Sequence, residues 1–315
     1  MADISSIDAA HPRFCTTPKP LFDQSFTDGL RVAFIQMAVG SDKKINIKRA
    51  VDRIHKAKSK GAQLVALPEC FNSPYGTKFF EEYSEDVPNG ETCLALASAA
   101  RETGLVVVGG TIPEKSDGKL YNTCTVWDDK GVLIAKHRKV HLFDIDIPGK
   151  IKFVESEVLT AGDSLNTFTI GNLKVGLGIC YDLRFEEMAR VYANMGCNML
   201  LYPGAFNMTT GPLHWELLTR SRANDLQLFM GVISPARGSG AGYIAWGHST
   251  LVDPWGKIVA RAGHDDELLV ADVDLSVVDE VRSQIPTTKQ RRTDVYSTIY
   301  KGIEPLDMTK NSSKM

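Results

Sequence analysis

An alternation of short apolar runs with amphipathic ones occupies the first third of the chain and limits the fold more than any other feature. Leu30–Met37 reads as a strand. Ile47, Ala50, Val51 and Ile54 mark one face of a helix that stops near Gly61, and Leu64–Leu67 is the next strand, running straight into Pro68-Glu69-Cys70-Phe71. A helix over Glu91–Thr103 and a strand over Leu105–Val108 follow. This β-α-β-α-β order calls for helices layered on a sheet. Two later stretches forbid a purely parallel sheet. Leu120–Trp127 and Val132–Val140 flank Asp128-Asp129-Lys130-Gly131, while Gly247–Asp253 and Lys257–Ala260 flank Pro254-Trp255-Gly256. Each pair reads as an antiparallel hairpin. A strand over Asn198–Tyr202, a helix over Pro212–Leu226 and strands over Phe229–Ile233 and Glu267–Val273 complete the pattern, before a short helix and the basic run Lys289–Arg292. The expected class is α/β, with mixed sheets stacked as a sandwich and helices outside.

No repeat or linker divides the chain, so one domain over residues 30–297 is expected. Residues 1–29, with Pro12, Pro18 and Pro20 and no sustained periodicity, read as a poorly ordered extension, and 298–315 as a tail. Asp3, Asp8, Asp23 and Asp28 against Arg13 and Lys19 make that extension a poor transit peptide. A net charge of −2 gives no footprint for nucleic acid or an anionic membrane. No apolar run approaches the roughly 20 residues that cross a bilayer. The six cysteines lack CxxC spacing, which suits a reducing compartment. A cytoplasmic setting is expected, with a mitochondrial one as the alternative.

The chemistry gathers at strand ends. Leu173–Ile179 is a buried strand that ends on Cys180 and turns into a helix marked by Phe185, Met188, Ala189 and Tyr192, with Asp182 as its expected N-cap. A thiol beside helix-start N–H groups is expected to have a lowered pKa and a ready oxyanion site. Glu69 and Lys139 stand at two other strand ends, where aligned strands of α/β folds build their sites. Amide hydrolysis through a thioester needs a nucleophile, a proton shuttle and an oxyanion pocket. Cys180 can attack, Glu69 can act as general base and acid, and Lys139 with the Tyr181 backbone N–H can hold the oxyanion. Cys70 stays open as a competing nucleophile, and His141, His214 and His248 as competing bases. His137 and His141 would lie about 13 Å apart on a continuing strand, so no metal site is expected.

Pro68-Glu69, His137–Phe143 and Gly178–Phe185 together resemble the Glu-Lys-Cys constellation of the nitrilase superfamily of carbon–nitrogen hydrolases. Leu67–Gly76, His141–Gly149 and Tyr202–Trp215 resemble its ω-amidase branch. The resemblance runs from about Leu30 to about Tyr296. It implies a four-layer αββα sandwich, a homodimer, and cofactor-independent hydrolysis of 2-oxoglutaramate and 2-oxosuccinamate to the oxo diacids and ammonia. It also implies that Glu155 is a second glutamate orienting Lys139, and that Tyr75, Phe143, Tyr181, Phe206 and Thr209 line the pocket. A carboxylate-bearing substrate needs a cationic clamp. Arg184 is the first candidate, with Arg222 and Arg237 behind it. Deaminated glutathione amidase and N-carbamoyl amidohydrolase are the alternatives within this chemistry. Nitrile hydrolysis, a silent scaffold and a thiol redox sensor are the others.

Overall fold

The computed structural model describes residues 29–238 and 242–302; the expected N-terminal extension and the end of the tail lie outside these. The first sheet is built from β1 (Leu30–Gln36), then α1 (Lys43–Ser59), β2 (Leu64–Ala66), α2 (Thr77–Tyr83), α3 (Glu91–Thr103) and β3 (Val106–Val108). The strands β4 (Ile112–Ser116), β5 (Lys119–Trp127) and β6 (Leu133–Arg138) complete that half. A separate hairpin, β7 (Asp144–Ile147) and β8 (Ile151–Val154), leads to the second half. That half runs β9 (Thr167–Ile170), β10 (Leu173–Leu177), α4 (Glu186–Asn194), β11 (Met199–Pro203), α5 (Gly211–Leu226) and β12 (Phe229–Ile233). The hairpin β13 (Thr250–Val252) and β14 (Ile258–Arg261), then β15 (Glu267–Val273) and α6 (Ser276–Gln284), finish the chain.

The sheets are mixed, as the hairpins required. One has the order β15-β1-β2-β3-β5-β4 with β6 on the other side of part of β5; the second has the order β14-β13-β12-β11-β10-β9. β1, β2 and β3 are parallel, and so are β10, β11 and β12. β15 returns to pair antiparallel with β1, from Leu30 opposite Val273 to Gln36 opposite Glu267. The last strand therefore ties the second half back onto the first sheet.

Alternation along β1 separates two cores. Val32 and Phe34 join Leu64 and Ala66 of β2 and Val175 and Leu177 of β10 between the sheets. Ala33 and Ile35 face the other way, onto Ala50, Ile54 and Ala57 of α1 and Leu96 and Ala100 of α3. On the far side, α4 and α5 lay Tyr192, Trp215 and Leu226 against the second sheet. The order is helix, sheet, sheet, helix. Local signals explain the helix ends. Asp42 caps α1 by accepting from the Ile45 N–H at 3.0 Å, and Gly104 ends α3 in the left-handed region. Among the described residues, no helix is long and apolar enough to cross a membrane.

Several elements differ from the expectation. α2, β4, β9 and the β7–β8 hairpin carry no clear periodic signal. The helix expected directly after Cys180 starts later: Cys180–Arg184 is a 3₁₀ turn, and α4 begins at Glu186. Asp182 does not cap it; the N-cap is Phe185, with no side-chain bond, and Asp182 is buried in other work.

Candidate active site

β6 is antiparallel to β5, which is antiparallel to β3, so β2 and β6 run the same way and open at the same edge. Glu69 and Lys139 leave from those ends and Cys180 from β10. The exit at β10 demands glycine. A Cβ on Gly178 would stand 2.1 Å from the Tyr202 ring. Two residues later the backbone turns left-handed at Cys180, φ +46°, an uncommon state for a residue with a side chain. Lys139 is fixed from behind, its backbone N–H donating to the Asn122 carbonyl at 2.9 Å.

The charged groups meet in a buried cluster. The Lys139 ammonium donates to Glu69 Oε1 at 3.3 Å and to Glu155 at 3.0 Å (Oε1) and 2.8 Å (Oε2). Glu69 accepts further from Asn122 Nδ2 at 2.9 Å and, on Oε2, from the Ala205 N–H at 2.8 Å. Glu155 accepts from the Phe143 N–H at 2.8 Å and the Tyr75 hydroxyl at 3.1 Å. Cys180 stands against the Glu69 carboxylate and the Ala205 N–H. Such burial is tolerable only because each charge is paired and hydrogen-bonded.

Electrostatics corrects one expectation. Burial first, and then the Glu69 charge, push the Cys180 thiol well above its ordinary value, against the pull of Lys139. The helix-start environment does not prevail, so Cys180 rests as a thiol and needs a base. Burial raises Glu69 above the ordinary carboxylate value, opposed by Lys139 and helped by Glu155. Burial alone would lower Lys139, but Glu155 and Glu69 together outweigh it and hold the amine well above its ordinary value. A raised carboxylate beside a protonated thiol is a proton-transfer pair.

Aromatic rings wall the cluster. Tyr75 lies 4.4 Å from Tyr243 and 5.7 Å from Phe153, and Phe143 lies 5.2 Å from Tyr181, centroid to centroid. The Arg184 guanidinium sits 4.8 Å over Phe206 and 5.7 Å over Tyr181. His214 Nδ1 lies 3.1 Å from Arg184 Nη1, and burial together with Arg184 lowers its pKa, so the neutral ring accepts that bond. Tyr75, Phe143, Tyr181, Arg184 and Phe206 are thus brought to one place. The Thr209 N–H donates to Asn207 Oδ1 at 2.9 Å just before the start of α5. Arg222 supports the Arg184 carbonyl at 3.1 Å, and Arg237 bonds the Trp246 carbonyl at 2.9 Å.

The competing bases are engaged elsewhere. His141 Nδ1 bonds Asp182 at 2.8 Å and stacks on Phe185, and His248 Nδ1 faces the Ala262 carbonyl at 3.2 Å. The 13 Å separation expected for His137 and His141 is also corrected. β6 ends at Arg138, the chain turns, and both rings approach the one Asp182 carboxylate, His137 at 3.7 Å. Asn122, Ala205, Tyr243 and Asp182 are the site residues sequence reasoning missed. Asn122, an amide inside a strand, carried a faint signal; Ala205 acts through its backbone and carried none.

The carbon-nitrogen hydrolase family model matches residues 31–283. The omega-amidase NIT2 of Xenopus tropicalis is 55% identical over 267 residues, covering 85% of this chain and 96% of that protein. The omega-amidase NIT2 of Homo sapiens is 53% identical over 267 residues, with the same coverage of 85% and 96%. Among solved structures, Saccharomyces cerevisiae Nit3, a member of branch 10 of the nitrilase superfamily, is 42% identical with a TM-score of 0.78, covering 85% of this chain and 98% of that one.

Proposed function

The chain belongs to the carbon-nitrogen hydrolase family, in the nitrilase superfamily, and from that premise we propose that it is an ω-amidase, hydrolysing the side-chain amide of small 2-oxo acids such as 2-oxoglutaramate and 2-oxosuccinamate. The observation that carries the reading is the buried Glu69–Lys139–Glu155 cluster against Cys180, with the Arg184 guanidinium at its aromatic edge.

Each residue has a task its surroundings allow. Glu69 takes the Cys180 proton as the sulfur attacks the amide carbon, so a C–S bond forms and the carbonyl becomes an oxyanion. Lys139 and the Tyr181 N–H, which as a turn-start donor has no partner within its own turn, stabilise that charge. Glu69 returns the proton to nitrogen, the C–N bond breaks, and ammonia leaves a thioester. A water gives its proton to Glu69, adds to the thioester carbon, and expels Cys180, which takes the proton back. Glu155 never meets the substrate in this scheme; by gripping Lys139 with both oxygens it aims the ammonium. Arg184 holds the free carboxylate of the substrate, while Tyr75, Phe143 and Phe206 enclose its carbon chain. Thr209 stays in the proposal only as a wall residue near the α5 start.

The reading carries with it a hydrolase domain over residues 30–297, a cytoplasmic setting and a homodimer. Leu213, Leu217 and Trp255 stand exposed around one groove along α5 and the β13–β14 turn, with Glu216 and Arg220 among them, and that mixed face supports self-association there. Ammonia release tests the activity: 2-oxoglutaramate should far outpace deaminated glutathione and an N-carbamoyl amino acid, and Cys180→Ala should release none. A faster rate on either rival would overturn the substrate assignment.

A further inference from the structure

Asp182 is fully buried, two residues past the nucleophile, and the scheme above leaves it without a task. Its bonds reach both halves of the site. Oδ2 accepts from the Ile179 N–H at 2.9 Å, while the Asp182 N–H donates to the Ile179 carbonyl at 3.0 Å. Both polar groups of the residue before Cys180 are therefore held by the residue two after it, which closes a ring around the left-handed turn. Oδ1 accepts from the His141 backbone N–H and from His141 Nδ1, each at 2.8 Å. His141 lies two residues past Lys139, and two further on the Phe143 N–H donates to Glu155 at 2.8 Å. The chain from Lys139 to Phe143 is thus gripped at alternate residues by two buried carboxylates. The His141 ring also lies flat on Phe185, 3.6 Å away and 7° from parallel, at the start of α4.

We propose that Asp182 is a positioning residue that locks the Cys180 turn to the Lys139–Phe143 segment, so that sulfur and ammonium keep a fixed relation through the reaction. One carboxylate is the direct hydrogen-bonded tie between the two segments. The Cys180 turn has an uncommon backbone and would relax without its ring. Lys139 moves with its own backbone, which Asn122 holds at one point and Asp182 at another. Replacing one carboxylate oxygen with an amide NH₂ sets a donor against a donor, at Ile179 or at His141, whichever way the amide turns. Displacement of reacting groups by about 1 Å costs on the order of 100-fold in rate.

This inference rests on Cys180 and Lys139 acting as proposed, and the test separates the two. Asp182→Asn is assayed on 2-oxoglutaramate, with folded sites counted by the end point of Cys180 alkylation by fluoroacetamide. The expected result is kcat per titrated site down about 100-fold with KM within about threefold. A purely structural role would lower the number of titratable sites and leave kcat per site unchanged; that result overturns the proposal. His141→Phe keeps the backbone bond and the stack but removes the ring bond, and should lower kcat about fivefold at constant KM, the scale of one lost hydrogen bond. If Asp182→Asn does not fold, His141→Phe decides, and an unchanged kcat overturns the proposal. Full activity in Cys180→Ala would instead sink the reading on which it rests.

Discussion

Cys70 and Cys180 make a natural pair. Each follows a strand exit, each is buried, and each has a left-handed backbone, φ +49° and +46°. Each is also pushed up by burial and the Glu69 charge. The left-handed strand exit seen at Cys180 is therefore present twice. What separates the two thiols is their partners. Cys70 lies among Phe80 and Leu159, its sulfur 3.9 Å from the Thr111 hydroxyl. Cys180 has a carboxylate that can take its proton and a backbone N–H beside it. A left-handed turn aims a side chain; a base makes it a nucleophile.

The largest effects should fall on the pair itself. Cys180→Ser is expected to lose at least about 10⁴-fold in kcat, the scale of removing a nucleophile that acts as part of a unit. Cys70→Ser should stay within about threefold, because the hydrogen-bond partner of its sulfur is Thr111, which the proposed chemistry does not use. Steady-state ammonia release on both variants checks this, and equal losses would dissolve the contrast. Next comes Lys139→Met. Loss of an oxyanion donor costs about 10²–10³ in kcat, and two buried carboxylates left without their ammonium should also lower stability by about 3–5 kcal/mol. Chemical denaturation alongside kinetics separates the two losses.

A pH profile sharpens the comparison further. Glu69 must be ionised to accept the thiol proton, and burial raises its pKa above the ordinary carboxylate value. Activity should therefore fall as the solution is acidified, at a pH above the usual carboxylate range, and kcat/KM should recover as pH rises through that limb. Glu69→Gln should remove the limb and lower the plateau about 10²–10⁴-fold. A limb at the pH of a free carboxylate would show that the desolvated Glu69 is not the base.

How much of this was legible beforehand follows from where each residue finds its partners. α3, β12 and β15 match their sequence-read ranges, because runs such as Phe229–Ile233 and the Gly104 stop carry their own punctuation. β4 was not legible. Ile112-Pro113-Glu114-Lys115-Ser116 has the wrong alternation for a strand, and Glu114 is buried only because Arg138 and Lys136 come to it from β6. The same holds inside the site. Glu69 and Lys139 were visible as charges at the ends of apolar strands. Asp182 looked like a helix cap because its true partner, His141, lies 41 residues away.

The smallest expected effect isolates Cys70's own support. The Cys70 N–H donates to Thr111 Oγ1 at 2.9 Å, and the Thr111 N–H donates back to the Pro68 carbonyl at 3.1 Å, so this threonine is what holds the left-handed turn. Thr111→Val keeps the shape and leaves the Cys70 N–H buried and unpaired, at a cost of about 1–3 kcal/mol of stability. Turnover per titrated site should hardly move. Glu69, the neighbour of Cys70, is fixed by Asn122, Ala205 and Lys139 rather than by the turn that follows it. A stability loss with kcat intact would assign the Cys70 turn to folding alone. A matching fall in kcat would mean that the turn also aims Glu69, and the two cysteines would then serve one site from opposite sheets.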